Sequence, residues 1–190
     1  MEVGGRGGMG ESPGGPLLVA VVGGKAAGKT TLVEAILRAL SEAGVRAAAV
    51  KHTHEASPEV DRPGTDSWRM AAAGASTVVL ASPNLTAVFG REGVDLDGAL
   101  AVVRCIDPDA RVVVIEGFKS QAIPREDVVK VVIEGDRRIE GMLKSARGEV
   151  WRVRAARGEG GAPRFGPQQV REITRRILHS LGRPGRVAED

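Results

Sequence analysis

Gly23-Gly24-Lys25-Ala26-Ala27-Gly28-Lys29-Thr30 has the spacing of a phosphate-binding loop: glycine, four residues, glycine, lysine, threonine. Each residue type has a physical task in that pattern. The glycines let backbone N–H groups converge on phosphate oxygens. Lys29 brings a point charge to the β- and γ-phosphates, and Thr30 offers a hydroxyl to Mg²⁺. Thr31 follows at once and completes the expected nucleotide contacts, with a helix N-terminus aimed at the same anion.

Hydrolysis chemistry at such a loop also needs carboxylates near the cation. Glu116 closes the apolar run Val112-Val113-Val114-Ile115 and precedes Gly117, a strand end where a carboxylate reaches Mg²⁺ and its waters. Being Glu rather than the usual Asp, it is long enough to act through a water or on the nucleophile. Asp61 and Asp66 lie in and after a polar loop; either could reach Mg²⁺ or an attacking water, and either could equally be a turn former or a helix-terminal carboxylate. The residues point to Thr30 and Glu116 at the metal, with Glu116 the expected catalytic carboxylate, and leave Asp61 and Asp66 both open. His52 and His54 are two apart and share a side of an extended strand, which fits a phosphate or partner contact better than a metal pair lacking further ligands. Lys119 could meet an anionic substrate or be an ordinary loop lysine. The residues leave guanine against adenine open: the Asn-Lys-x-Asp signature is absent, since the only asparagine, Asn84, precedes Leu85.

The elements that must hold these residues are legible in outline. Leu17 to Val22 is a continuous apolar run, as for a strand buried on both faces. Thr31 to Ala43 carries Leu32, Ala35, Ile36, Ala39 and Leu40 on one helical face and stops at Gly44. Val45 to Val50 is a second strand, followed by the polar loop to Gly64. Thr65 is an N-cap for a short helix ending near Gly74. Ser76 to Ala81 and Leu85 to Phe89 flank Ser82-Pro83-Asn84, an antiparallel hairpin. Further elements are expected at Leu96 to Cys105 (helix), Arg111 to Gly117 and Val128 to Ile133 (strands), Asp136 to Ser145 (helix), Val150 to Ala155 (strand), and a last helix from Pro167 to Leu181 closed by Gly182. Arg157 to Gly166 reads as a mobile loop. Alternation of strand and helix implies a three-layer α/β P-loop nucleoside-triphosphatase fold: a mostly parallel central sheet, helices on both faces, one antiparallel hairpin.

Composition narrows the function classes. The chain has 190 residues, 42% hydrophobic and only 3% aromatic, so its core must be Val, Leu, Ile and Ala. The expected organisation is a glycine-rich tail over 1–16, one nucleotide-binding domain over 17–182 and a short tail over 183–190. The one cysteine, Cys105, excludes an internal disulfide and reads as an inert buried thiol. No apolar run spans a membrane, and the N-terminus lacks a signal peptide's apolar core, which together suggest a cytoplasmic protein. Between Arg137 and Arg186 thirteen Arg or Lys stand against four Glu, a local +9 in a chain of net +3. A solvated arginine-rich face is the plainer account, an anionic ligand or acidic partner the sharper one; nucleic acid is not indicated, since no known module is visible.

Four blocks in this order, Val22 to Leu32, Val50-Lys51-His52-Thr53-His54, Asp61-Arg62-Pro63-Gly64-Thr65-Asp66-Ser67-Trp68-Arg69 and Ile115-Glu116-Gly117-Phe118-Lys119, resemble the molybdopterin-guanine dinucleotide biosynthesis protein B family. The likeness covers about Leu17 to Ile133 and is weaker in the C-terminal third. It implies a GTP-binding protein with weak Mg²⁺-dependent GTPase activity, commonly a homodimer, that assists the molybdenum cofactor guanylyltransferase in joining GMP to molybdopterin. On that resemblance Gly23, Gly28, Lys29, Thr30 and Thr31 carry over as nucleotide contacts, with Asp61 and Glu116 on the Mg²⁺ side. Two other functions suit the same residues. A small-molecule kinase would need an acceptor pocket and an arginine lid, for which Arg157 to Arg164 is available. A non-hydrolysing adaptor would bind nucleotide for stability and act through its surface.

Overall fold

A computed structural model describes residues 15–55 and 61–182; the stretches 1–14 and 183–190, which hold most of the two expected tails, and the loop 56–60 lie outside the described residues. Nine strands and six α-helices follow in the order β1 (Leu17–Val22), α1 (Lys29–Glu42), β2 (Ala47–Lys51), α2 (Asp66–Ala72), β3 (Thr77–Ala81), β4 (Thr86–Gly90), α3 (Leu96–Ile106), β5 (Val112–Glu116), α4 (Lys119–Ala122), β6 (Val128–Ile133), α5 (Arg137–Met142), β7 (Val150–Val153), β8 (Ala156–Arg157), β9 (Pro163–Arg164) and α6 (Pro167–Leu181). Five of the strands form one parallel sheet in the order β2-β5-β1-β6-β7.

The period of two along each central strand divides the core. Leu17, Val19 and Val21 point to one face, where Leu32, Val33, Ile36 and Leu40 of α1 and Ile173 and Ile177 of α6 meet them. Leu18, Ala20 and Val22 point to the other, against Leu96 and Leu100 of α3, Ile123 beyond α4, and Ile139 of α5. Both faces of β1, β5 and β6 are covered, so these strands need continuous apolar runs, and they have them. The exception is Lys130, fully buried in β6, whose ammonium donates to the backbone carbonyls of Arg125 and Arg147 and ties the two segments at the amino edge of the sheet.

The three-layer α/β architecture is the expected one, with two refinements. The hairpin β3–β4 is antiparallel and turns through Ser82 and Leu85, whose backbone N–H and carbonyl lie 2.8 Å apart, but it forms its own two-stranded sheet and does not extend the central one. The stretch read as a loop from Arg157 to Gly166 contains a second antiparallel pair, β8–β9. One expectation is corrected: Cys105 is exposed. Helix α3 buries Leu96 and Leu100, and five residues after Leu100 the helix has turned Cys105 away from that stripe.

Candidate nucleotide-binding site

The loop from Gly23 to Gly28 joins the central strand β1 to α1 and so sits at the carboxyl edge of the sheet, where open α/β folds take their ligands. Its backbone is wound for anions. Ala26 (φ 57°) and Gly28 (φ 87°) are left-handed, a conformation that turns successive N–H groups inward as a nest. Gly28 is also the N-cap of α1 and accepts from Leu32 N at 2.9 Å. Side chains are excluded around the loop: a Cβ on Gly24 would fall 2.3 Å from Asp136 Oδ2, and one on Gly28 would fall 2.8 Å from Pro163. The same added Cβ would fall 3.2 Å from Phe165 Cε2. Lys25 and Ala26 are exposed, Ala27 half-buried, and Thr30 and Thr31 exposed at the start of α1.

Lys29 folds back across the loop and donates to the carbonyls of Gly23 (3.2 Å) and Gly24 (2.6 Å). Burial pushes its ammonium below the usual lysine range; Glu116 opposes that shift, while Lys51 and Lys119 add to it. Lys29, Lys51 and Lys119 are thus close enough to feel one another.

Glu116 ends β5, the neighbour of β1, and is 6% exposed. Both its oxygens lie 3.0 Å from Thr30 Oγ1. The structure therefore brings together two of the three side chains expected at a metal. Asp61 makes contacts of its own: its Oδ1 accepts from Arg62 N (2.9 Å) and Thr65 Oγ1 (3.0 Å), fixing the turn that leads into α2. Asp66 pairs only locally, with Arg69 at 3.4 Å. Among the described residues no three His, Cys, Asp or Glu side chains are gathered as a metal centre. Thr30 and Glu116 offer the hard oxygens that Mg²⁺ takes, and a Mg²⁺ there would complete its shell with phosphate and water, its ordinary habit.

Sequence reasoning gave Lys51 no role. It pairs in register with Glu116 across β2 and β5, and its Nζ lies 2.5 Å from Glu116 Oε1. The signal was a lysine closing an otherwise apolar strand. Asp136, expected only to begin a helix, caps α5 through Arg138 N (2.8 Å) and Ile139 N (3.2 Å) and abuts Gly24. His52 is pinned beside the site: its N–H donates to Glu116 O at 2.8 Å, and its ring packs on Phe118 (centroids 4.4 Å apart) and edge-on to His54 (4.8 Å). On the arginine-rich face, Arg152, Arg154, Arg175 and Arg176 already hold carboxylates of Glu140, Glu134 and Glu172.

Residues 18–144 match the family model for molybdopterin guanine dinucleotide synthesis protein B, MobB. The chain belongs to the MobB family. A putative molybdopterin-guanine dinucleotide biosynthesis adapter protein of Methanocaldococcus jannaschii is 40% identical over 120 residues, which are 63% of this chain and 48% of that protein. The adapter protein of that pathway from Haemophilus influenzae is 36% identical over 110 residues, 57% of this chain and 60% of its own. The chain thus spans about half to three fifths of the length of these MobB relatives. A MobB crystal structure, 27% identical, superposes with a TM-score of 0.58 over 88% of this chain and 100% of that one. Bacillus subtilis MobB, 24% identical, shares the fold with a TM-score of 0.59.

Proposed function

We propose that this protein binds GTP with Mg²⁺ at the Gly23–Thr31 loop, hydrolyses it slowly, and serves as an accessory protein to the molybdenum cofactor guanylyltransferase in molybdopterin guanine dinucleotide biosynthesis. The observation that carries the proposal is the contact of Thr30 with Glu116 immediately behind an anion-binding loop. The names of the relatives support the pathway, and the guanine of the dinucleotide supports the choice of base.

Each residue has a part in that function. The N–H groups of Gly24 to Gly28 and the Lys29 ammonium hold the phosphates, which draws Lys29 away from the two carbonyls it now contacts. Thr30 and Glu116 hold the cation side, with Asp61 contributing from the turn before α2. Mg²⁺ supplies charge neutralisation between the β- and γ-phosphates when bound. Glu116, beside the Thr30 hydroxyl, is placed to orient water, and slow turnover suits positioning alone. Cytoplasmic residence and an anionic ligand such as molybdopterin on the basic face belong to the same proposal. No helix among the described residues is long and apolar enough to cross a membrane.

The test is calorimetry with GTP, GDP and ATP in Mg²⁺, and phosphate release without any acceptor, on wild type, Lys29→Ala, Asp61→Asn and Glu116→Gln. Lys29→Ala should lose tight triphosphate binding with the fold intact, and Asp61→Asn should weaken Mg²⁺-dependent binding. Glu116→Gln should keep much of the affinity and lose most hydrolysis. Release that is measurable in wild type and unchanged in Glu116→Gln refutes the catalytic role. The word adapter in the relatives' names favours one second reading, a nucleotide-binding protein with no turnover, which predicts affinity without release. A kinase predicts turnover only when its acceptor is added.

A further inference from the structure

Lys51 occupies a cation's place. Its Nζ is 2.5 Å from Glu116 Oε1 and 3.5 Å from Thr30 Oγ1, so one ammonium touches both side chains assigned above to the metal. The two partners differ in freedom. The Glu116 side chain is 8% exposed and held at a strand end, whereas that of Lys51 is 57% exposed on a flexible four-carbon stem. A carboxylate this buried needs a counter-charge. In the nucleotide-free protein Lys51 approaches from solvent and provides it.

We propose that Lys51 is an exchangeable counter-ion: it neutralises Glu116 while the site is empty, releases Glu116 and Thr30 when the Mg²⁺–nucleotide enters, and turns its ammonium to the terminal phosphate. The inference rests on the Mg²⁺–nucleoside triphosphate reading of this site. Its physical basis is competition. A lysine ammonium and a divalent cation drawn to the same carboxylate repel each other, so each weakens the hold of the other on Glu116. The released ammonium would remain anchored at the end of β2, which lies on the far side of β5 from β1, the strand that leads into the loop carrying Lys29. Triphosphate would then be favoured over diphosphate by a contact that diphosphate cannot make.

The test uses the full chain, with Mn²⁺ as the spin-active stand-in for Mg²⁺. Electron paramagnetic resonance titration of the nucleotide-free protein should show Lys51→Met binding Mn²⁺ about tenfold more tightly than wild type, because the competing cation is gone. In calorimetry the same variant should lose about tenfold in its preference for GTP over GDP, while GDP affinity is nearly kept. Unchanged Mn²⁺ affinity, or an equal loss for both nucleotides, overturns the proposal in favour of a static ion pair. Should Lys51→Met fail to fold, Lys51→Arg decides: a guanidinium grips the carboxylate with two donors and yields less readily, so Mn²⁺ affinity should fall below that of wild type, and no change overturns the exchange. If wild type binds no nucleoside triphosphate, the proposed function fails, while the Mn²⁺ titration of nucleotide-free protein still decides the role of Lys51.

Discussion

Gly117 shows how tightly individual residues fix the site. Its φ is 99°, and a Cβ there would lie 2.7 Å from His52 Cβ and 3.0 Å from His52 O. Phe118 follows at φ 47°, left-handed without being glycine, a conformation that stores strain where it occurs in ordered sites. Together they bend the chain sharply after Glu116 and clamp it to β2. Gly117→Ala should therefore cost about 2–4 kcal/mol, backbone strain and overpacking adding, read as a lower urea midpoint with an unchanged m-value. An unshifted midpoint would mean that His52 yields freely. Glu116 was legible in the sequence because a carboxylate closing an apolar strand has few other uses. Lys51 was not, because its role depends on which strand lies beside β2, and only the sheet order shows that β5 does. Asp61 shows the converse: its spacing was suggestive, but its carboxylate oxygen is engaged in its own turn.

At the scale of elements, β1, β5 and β6 were legible as apolar runs between turns, and α1 and α6 by their helical hydrophobic period. The pair β8–β9 was not: two-residue strands carry no period, and Arg157 to Gly166 is rich in glycine and charge. Connections between elements add a testable pH dependence. Arg125, just before β6, pairs with Asp127 (2.6 Å) and reaches Asp97 on α3 (2.5 Å). The hydrogen bond from Arg125 holds the Asp127 carboxyl below its usual range. A carboxyl depressed in the folded state adds stability that is complete above its unfolded value, about 3.9, and is lost as pH falls through the lower folded value. The urea-midpoint advantage of wild type over Asp127→Asn should accordingly be flat at neutral pH and vanish below that range. Partial exposure limits it to about 1 kcal/mol. An advantage that grows on acidification would contradict the sign.

At the scale of the whole molecule, large apolar side chains are exposed on the hairpin and on α2. Val79, Leu80, Leu85 and Val88 of the hairpin and its turn, with Trp68 and Met70 of α2, are all large and exposed. No residue of α2 is buried, and the hairpin is a separate two-stranded sheet with free edges. We propose that this excursion forms a homodimer across a two-fold axis. Light scattering should give twice the chain mass at micromolar concentration, and Leu80→Lys should shift it to the monomer; a monomer mass for wild type over a wide concentration range would refute this. The sheet and its covering helices could be anticipated, since they follow from local pattern. A homodimer was expected from the family resemblance and the hairpin edge, not from single residues, since an exposed valine reads the same in a sequence whether it faces solvent or a partner.

The contact of Gly28 with Pro163 and Phe165 has a consequence for biosynthesis. The loop proposed to bind phosphate lies early in the domain, and its backing comes from residues more than a hundred positions later, beyond the end of the family match at residue 144. Strand β1 likewise waits for β5 and β6 before either of its edges is paired. A nascent chain therefore displays an unsupported loop and an unpaired hydrophobic strand through most of its synthesis, the condition in which long-range folds are slow and open to misassociation. The proposed nucleotide site is encoded early and completed late, so a bound nucleotide would lock a fold that the C-terminal third has already closed instead of templating it early.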